Sequence, residues 1–152
     1  MSEIREFYYN SPLGCIRIKM QDGKVIALEF TKEEHESSSI DIPVITELKE
    51  YFSLERKEFS TEILFFGSPF ERSVWKVLQK IPYGTTLSYS DVGEILGNKN
   101  LARAVGNACN KNPIAVIIPC HRVIPKGYGR VGKYAYGSEI KKALISMEGN
   151  NL

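Results

Sequence analysis

The stretch SDVGEILGNKNLARAVGNACN, residues 90–110, decides the fold of half of the chain. Its first part predicts a helix from about Ser90 to Leu96 that ends at Gly97. A tight turn follows at residues 98–100, with Asn100 as a good N-cap, and a second helix runs from Leu101 to about Asn110. Two helices across so short a turn predict a helix-turn-helix, although an ordinary corner between two helices has the same pattern.

The two predicted helices each have an apolar side and a more polar side. The residues expected to be buried are Val92, Ile95, Leu96, Leu101, Ala104, Val105 and Ala108. The outer face of the second helix presents Ala102, Arg103, Gly106, Asn107 and Asn110. A face of small residues with one arginine can approach a nucleic-acid backbone closely, so this helix is a candidate DNA-binding element.

The run IPCHRVI, residues 118–124, follows this pair of helices. It sets a thiol, an imidazole and a guanidinium side by side at Cys120, His121 and Arg122. Neighbouring positive charge or a base favours the nucleophilic thiolate. A free cysteine is also commonly buried, and Ile114–Ile118 has the apolar pattern of a core strand. The run alone therefore leaves both a catalytic and a packing role open for Cys120.

Upstream of residue 90, a helix start at Ser68 marks a boundary in the chain. Ser68-Pro69-Phe70-Glu71 combines an N-cap serine, a proline at the first helical position and a capping-box glutamate. The helix that follows ends at Pro82-Tyr83-Gly84. We therefore predict two lobes, residues 1–67 and residues 68–152.

The N-terminal lobe reads as a small antiparallel sheet followed by a helix. Alternating residues predict a strand over Ile16–Met20, and a second strand follows at Val25–Phe30. A helix begins at Pro43, and Phe59–Phe66 is a further strand or an extended connection. No catalytic pattern is visible here, so the lobe is interpreted as a scaffold.

Charge is divided unequally between the two lobes. Residues 1–67 carry 8 Lys or Arg against 13 Asp or Glu, whereas residues 68–152 carry 12 against 5. Such a split indicates that the C-terminal lobe meets a polyanion, or that the two lobes attract each other.

Composition also argues against a membrane protein, a secreted protein and a metalloprotein. No segment approaches the roughly 18 consecutive apolar residues of a membrane span, and the N-terminus lacks the apolar core of a signal peptide. Three cysteines favour a reducing compartment, so we expect a cytoplasmic protein, or a nuclear one in a eukaryote. Two histidines and no Cys-x-x-Cys pair leave only Cys15 with His35 as a weak metal candidate, and we expect no metal site.

Several motifs of the C-terminal lobe resemble those of the O6-alkylguanine-DNA alkyltransferases, which repair DNA by direct reversal. The resemblance covers essentially all of residues 68–152 and is loose for residues 1–67. The matching motifs, in the family's order and close to its spacing, are Ile81-Pro82-Tyr83-Gly84, Ser88-Tyr89, Arg103-Ala104-Val105-Gly106, Asn112-Pro113, Ile118–Ile124 and Met147-Glu148-Gly149.

The resemblance implies a single-turnover reaction. Cys120 accepts an alkyl group from O6 of a guanine flipped out of duplex DNA, and the thioether consumes the protein. The family links the thiol to His121 through a water, with Glu148 orienting the imidazole, and Asn112 fixes the backbone near the thiol. No cofactor is needed. The resemblance leaves open whether O4 of thymine is also a substrate.

The resemblance also implies the DNA contacts. Arg103 fills the gap left by the flipped base, and Tyr89 crowds the 3′ phosphate and can hydrogen-bond to the base. Ser90, Asn98 and Lys126 are expected at the DNA, with the helix in the minor groove. The substrate loop maps to Lys126–Gly137, and the expected pocket residues are Tyr134, Ala135 and Val123.

The expected fold class is α+β. The resemblance makes the N-terminal lobe ribonuclease-H-like and the C-terminal lobe a winged helix-turn-helix that carries the cysteine, and we expect a monomer. Two other classes remain open. One is a winged-helix regulator with a redox-sensitive cysteine, and the other is a cysteine hydrolase that uses Cys120 and His121.

Overall fold

A computed structural model describes residues 2–127 and 130–149. The fold is mixed α/β, with a three-stranded antiparallel sheet and five α-helices in the described part of the chain. Contacts divide the chain into two compact units. The first unit comprises Met1–Phe65 with Pro113–Ala115, and the second comprises Phe66–Asn112 with Val116–Leu152.

The sheet of the first unit is a meander of β1 (Arg5–Ser11), β2 (Gly14–Gln21) and β3 (Lys24–Thr31). Its second hairpin turns at Asp22 and Gly23, which both have positive φ, as a two-residue turn between right-twisted strands requires. Ile16 and Ile18 of β2 are completely buried, as the alternating pattern predicted. Helix α1 (Pro43–Phe52) begins at the expected proline and buries Val44 and Leu48.

Strand β1 was not predicted from the sequence. Only Phe7 of its seven residues is buried, so the strand lacks the apolar alternation that reveals a half-buried strand. The connection over Phe59–Phe66 is extended, and its only pairing among the described residues is an isolated bridge between Ile63 and Val25.

The second unit begins with α2 (Pro69–Leu78), which has the predicted capping box. Ser68 Oγ accepts from Glu71 N at 3.1 Å, and Glu71 Oε1 accepts from Ser68 N at 2.9 Å. Trp75 of this helix donates its Nε1–H to the carbonyl of Ala108 at 2.9 Å, which ties α2 to the helix that contains Ala108.

Two short helices follow, α3 (Tyr89–Ile95) and α4 (Ala102–Asn110), joined through a 3₁₀ turn at Lys99–Leu101. Their junction is tight because a Cβ at Gly93 would lie 2.8 Å from the carbonyl oxygen of Asn98. The unit also contains α5 (Ser138–Met147) and a two-residue parallel pairing of β4 (Leu87–Ser88) with β5 (Val123–Ile124).

Three details of this region differ from the sequence-based expectations. Ile95 is 61% exposed rather than buried, because α3 ends there and turns its last residue outward. Asn100 lies inside the 3₁₀ turn and is not an N-cap, since the side chain of Asn98 accepts from Asn100 N. Helix α3 begins one residue earlier than expected and is capped by Ser88.

The predicted core strand over Ile114–Ile118 is wrong. The segment is buried but makes only one bridge, Ile114 with Leu28, and then turns through Val116 at a φ of +70°. Prolines at residues 113 and 119 flank it, and proline cannot donate to a strand ladder. Among the described residues no helix is long and apolar enough to cross a membrane.

Candidate active site

Cys120 is held by Asn112 at a turn of the second unit. The carboxamide Nδ2 of Asn112 donates to the carbonyl of Ile118 at 2.7 Å and lies 3.2 Å from Cys120 Sγ. Cys120, His121 and Arg122 form a single 3₁₀ turn instead of continuing an extended segment. This turn supplies the local bend that two adjacent residues need if their side chains are to serve one site.

The neighbouring His121 is paired with Glu148 at the C-cap of α5. His121 Nε2 lies 2.8 Å from Glu148 Oε2, and the imidazole is completely buried. Because the carboxylate can only accept this hydrogen bond, Nε2–H donates it, and Nδ1 is the ring nitrogen that keeps its lone pair. Nδ1 has no hydrogen-bond partner among the described residues, so it remains available as a base.

Arg122 makes a bidentate contact with the same Glu148 carboxylate. Its Nε lies 2.8 Å from Glu148 Oε1 and its Nη2 lies 3.0 Å from Oε2, while Nη1 donates to the carbonyl of Ile81 at 2.7 Å. The guanidinium neutralises Glu148 and fixes its plane, which in turn fixes the imidazole.

Burial controls the proton affinities of the site. Loss of hydration raises the pKa of the Cys120 thiol, and the hydrogen bond from Asn112 and the positive charge of Lys141 oppose this rise. Burial also lowers the pKa of His121, against the opposing effect of Glu148. At neutral pH the site therefore holds a thiol and a neutral imidazole, so forming the thiolate requires a base.

A cavity of about 540 Å³ opens beside Cys120. One wall is the outer face of α4, and the other walls come from α3 and the loop before α5. The lining residues are Tyr89, Ala102, Arg103, Gly106, Asn107, Cys109, Asn110, Cys120, Pro125, Gly132, Lys133, Tyr134 and Ala135. The residues expected on the bare face of the second helix therefore share one cavity with the thiol.

The remaining predicted residues lie in different places. Tyr134 and Ala135 line the cavity, whereas Val123 is completely buried in β5 and is not among the described lining residues. Lys126 and Asn98 are exposed, and Ser90 Oγ lies 3.0 Å from Ser88 Oγ. The substrate loop expected at 126–137 includes residues 128 and 129, which lie outside the described residues.

Sequence reasoning missed two buried cations. Arg122 was noticed beside the thiol but not as the partner of Glu148, and Lys141 was not singled out. A signal for Lys141 was present, because Lys141, Leu144, Ile145 and Glu148 follow a helical spacing and all four are buried. Among the described residues no group of three or more His, Cys, Asp or Glu side chains could hold a metal ion.

The site places a cysteine thiol and a histidine–carboxylate pair beside a pair of helices with an open face, the arrangement of a cysteine-dependent enzyme. The family model described as 6-O-methylguanine DNA methyltransferase, DNA binding domain, matches residues 69–150. A methylated-DNA–protein-cysteine methyltransferase of Methanosarcina acetivorans is 38% identical over 143 residues, which cover 94% of this chain and 85% of that protein.

Solved structures agree with this match. The crystal structure of Mycobacterium tuberculosis O6-methylguanine methyltransferase superposes with a TM-score of 0.84 at 32% identity, covering 96% of this chain and 93% of that one. Mycobacterium tuberculosis OGT crystallised in complex with DNA gives a TM-score of 0.85 at 34% identity, covering 94% and 92%. The chain belongs to the methylated-DNA–protein-cysteine methyltransferase family, whose members are DNA-repair enzymes.

Proposed function

We propose that this protein repairs duplex DNA by moving a methyl group from O6 of guanine to Cys120 in a single turnover. The observation that carries the proposal is the placement of Cys120 Sγ, 3.2 Å from Asn112 Nδ2 at the wall of a cavity of about 540 Å³. A purine base that leaves the helical stack fits a cavity of this size.

In the proposed mechanism His121 removes the thiol proton. Glu148 accepts from Nε2–H, so Nδ1 takes the proton, through the intervening water that the family resemblance implies. Asn112 donates to the sulfur and stabilises the thiolate. The sulfur then attacks the methyl carbon, the bond from that carbon to O6 breaks, and the electron pair stays on the purine. The thioether is stable, so the protein is consumed.

Duplex DNA would be bound by the open face of α4. Arg103, exposed at the rim of the cavity, is placed to enter the stack in place of the extruded base, which offsets the few kcal/mol of unstacking. Ser90, Asn98 and Lys126 would contact phosphates, and small residues on α4 suit close approach in the minor groove. The DNA-bound relative from Mycobacterium tuberculosis supports DNA as the partner.

Inside the cavity, Tyr89 and Tyr134 would meet the purine. Tyr89 lines the wall beside Cys120, and burial raises its pKa to about 12, so its hydroxyl keeps its proton and can donate to the base. Tyr134 and Ala135 lie in the loop before α5 and line the same cavity. Val123 would support the pocket without lining it, since it is buried in β5 next to the 3₁₀ turn that contains Cys120.

The finer architecture follows the same proposal. The first unit would be the ribonuclease-H-like scaffold of the family, and the second unit would be a winged helix-turn-helix built on α3 and α4. We infer a monomer without a cofactor that works where the genome is, in the cytoplasm or, in a eukaryote, the nucleus.

The proposal is tested by titrating the protein with a duplex that carries one O6-methylguanine and counting restored guanines. We expect one guanine restored per protein molecule, with no further repair after saturation. The variant Cys109→Ala should behave like the unchanged protein, because Cys109 is the other thiol of the cavity and has no acceptor role here. Repeated turnover, or no repair by the unchanged protein, would contradict the proposal.

A further inference from the structure

The turn that follows α2 lies against the buried ion pair of the site, and the mechanism above gives this turn no part. The carbonyl of Ile81 accepts from Arg122 Nη1 at 2.7 Å, and Gly84 N donates to Glu148 Oε1 at 3.4 Å. Between these two contacts, the ring centroid of Tyr83 lies 5.8 Å from Arg122 Cζ. Three parts of one turn therefore touch the guanidinium and the carboxylate that orient the imidazole.

The same turn fits closely against the end of α5. Gly84 has a φ of +79°, which favours glycine, and a Cβ at this position would lie 3.0 Å from the carbonyl oxygen of Glu148. Tyr83 Oη donates to the carbonyl of Met147 at the long distance of 3.4 Å. The turn is therefore seated on the residue that binds the imidazole.

Arg122 is the member of the buried charge group that is nearest to solvent. Its side chain is 9% exposed, against 1% for Glu148 and 0% for His121. The ring of Tyr83, which is half-buried, lies over this guanidinium. An aromatic face attracts a cation and covers it with apolar surface. The ring is therefore placed where water would otherwise reach the ion pair.

A purely structural role for Tyr83 would depend on its hydroxyl, which fastens the end of α5 through Met147. Such a role does not use the ring over Arg122. Burial raises the pKa of Tyr83, the charge of Glu148 adds to this rise, and the charge of Arg122 opposes it. The hydroxyl therefore keeps its proton at neutral pH, and the side chain exchanges no proton with the site.

We propose that Tyr83 is a positioning residue for methyl transfer, and that its ring shields the Arg122–Glu148 pair from water and so keeps His121 neutral and ready to act as the base. This inference rests on the proposed function, in which His121 takes the thiol proton. Tyr83 is not among the described residues that line the cavity, so it acts through Arg122 and Glu148 and not on the purine.

The shielding controls the proton affinity of His121. Burial lowers its pKa, Glu148 at the end of α5 opposes this effect, and Arg122 of the same turn and Lys141 of α5 add to it. Water that enters beside Arg122 weakens all of these effects, so the pKa of His121 should rise towards its usual value of about 6.5. A larger fraction of the imidazole is then protonated in mild acid and cannot accept the thiol proton.

The first experiment follows the histidine ring signals by NMR as the pH is changed, in the free protein. The chain has two histidines, so His35→Gln assigns the signals. His121 should titrate at a higher pH in Tyr83→Ala than in the unchanged protein. Tyr83→Phe keeps the ring and should titrate like the unchanged protein. Both variants lose the hydrogen bond to Met147, so a difference between them belongs to the ring.

The second experiment measures the single-turnover rate of methyl transfer, with protein in excess over lesion duplex. A histidine with the usual pKa loses about tenfold of its neutral form between about pH 7.5 and about pH 5.5. Tyr83→Ala should lose about tenfold in rate over this range, whereas the unchanged protein and Tyr83→Phe should lose less. Phe66→Ala is the matched control, because it removes an aromatic ring that is 70% exposed, and it should leave the pH profile unchanged.

The inference is overturned if His121 titrates at the same pH in Tyr83→Ala and in the unchanged protein. It is equally overturned if Tyr83→Phe shifts the titration as far as Tyr83→Ala, since the hydroxyl would then be the part that matters. If Tyr83→Ala does not fold, Tyr83→Leu replaces it, and an unshifted titration in that variant has the same meaning. If the titration shifts as expected but the unchanged protein transfers no methyl group at any pH, the proposed function fails and the shielding stands.

Discussion

Glu148 is the residue on which both the imidazole and the guanidinium of the site depend. Its two carboxylate oxygens are shared between His121 at 2.8 Å and Arg122 at 2.8 Å and 3.0 Å, and its side chain is 1% exposed. A buried ion pair adds little net stability by itself, but removing one partner leaves a buried charge uncompensated.

We therefore expect Glu148→Gln to lower the free energy of unfolding by about 3–5 kcal/mol and to slow methyl transfer. The amide keeps the size of the side chain but leaves the Arg122 charge unpaired. Urea denaturation measures the first effect, with Glu139→Gln, an exposed carboxylate on α5, as the control. Equal unfolding free energies for the two variants would show that Arg122 does not need this charge.

Burial of His121 also makes stability depend on pH. Its pKa is lower in the folded state than in the unfolded chain, so the unfolded state binds a proton first as the pH falls. The free energy of unfolding should therefore be highest above about pH 6.5 and should decrease below it. His121→Gln should remove this part of the acid dependence, whereas His35→Gln should retain it. An acid limb that is unchanged in His121→Gln would contradict the account.

At the scale of the element, capping boxes fix the starts of two helices of the second unit, α2 and α3. Ser68 caps α2 and Ser88 caps α3 through the same pair of hydrogen bonds. Only the second cap is adjacent to a cavity residue, because Tyr89 is the first residue of α3.

The two serines form a matched pair for a test. Ser68→Ala and Ser88→Ala should each lower the free energy of unfolding by about 1 kcal/mol, as measured by urea denaturation. Only Ser88→Ala should also slow methyl transfer, since it loosens the start of α3, where Tyr89 lies. Equal transfer rates for both variants would show that the cap of α3 does not position Tyr89.

The elements that could be predicted from the sequence are those whose signals lie within a few residues of each other. Ser68-Pro69-Phe70-Glu71 contains its own capping partners, and the alternation around Ile16 and Ile18 reports the buried face of β2. The apolar run Ile114–Ile118 carried no such information, because a buried turn and a buried strand have the same composition. Its course depends on the Asn112 side chain bonding to Ile118 O, a contact that hydrophobic pattern does not encode.

In the candidate site too, some residues could be predicted from local sequence and others depend on distant contacts. Cys120 and His121 stood out in the run at residues 118–124, whereas the roles of Asn112 and Glu148 came only from family resemblance. No local pattern predicts the Glu148 contact, because this residue lies 27 positions from its imidazole partner. The partner of Arg122 and the burial of Lys141 could not be read from charge, since charged side chains usually face water. The one sequence signal for the burial of Lys141 was its helical spacing with Leu144 and Glu148, which places the three side chains on one face of α5.

At the scale of the whole molecule, charge is divided unequally between the two halves of the chain, and the positive second half favours a polyanion such as DNA. Residues 68–152 carry 12 Lys or Arg against 5 Asp or Glu. Binding of a polyanion releases counterions, so the affinity for duplex DNA should fall steeply as salt rises.

This charge effect can be assigned to single residues. Lys126→Ala should weaken binding to any duplex and reduce the slope of log affinity against log salt by about 1. Lys32→Ala removes an exposed lysine of the first unit and should leave both quantities unchanged. Fluorescence anisotropy at several salt concentrations measures them. Equal slopes for the two variants would place Lys126 away from the phosphates.

The most direct test of the central claim is peptide mass spectrometry after the protein meets a duplex bearing one O6-methylguanine. The account predicts one added methyl group on the peptide that contains Cys120. It also predicts none on the peptides of Cys15 or Cys109, and none anywhere in Cys120→Ala. A methyl group on another residue, or unmodified protein that still holds the lesion duplex, would contradict the claim that Cys120 is the acceptor.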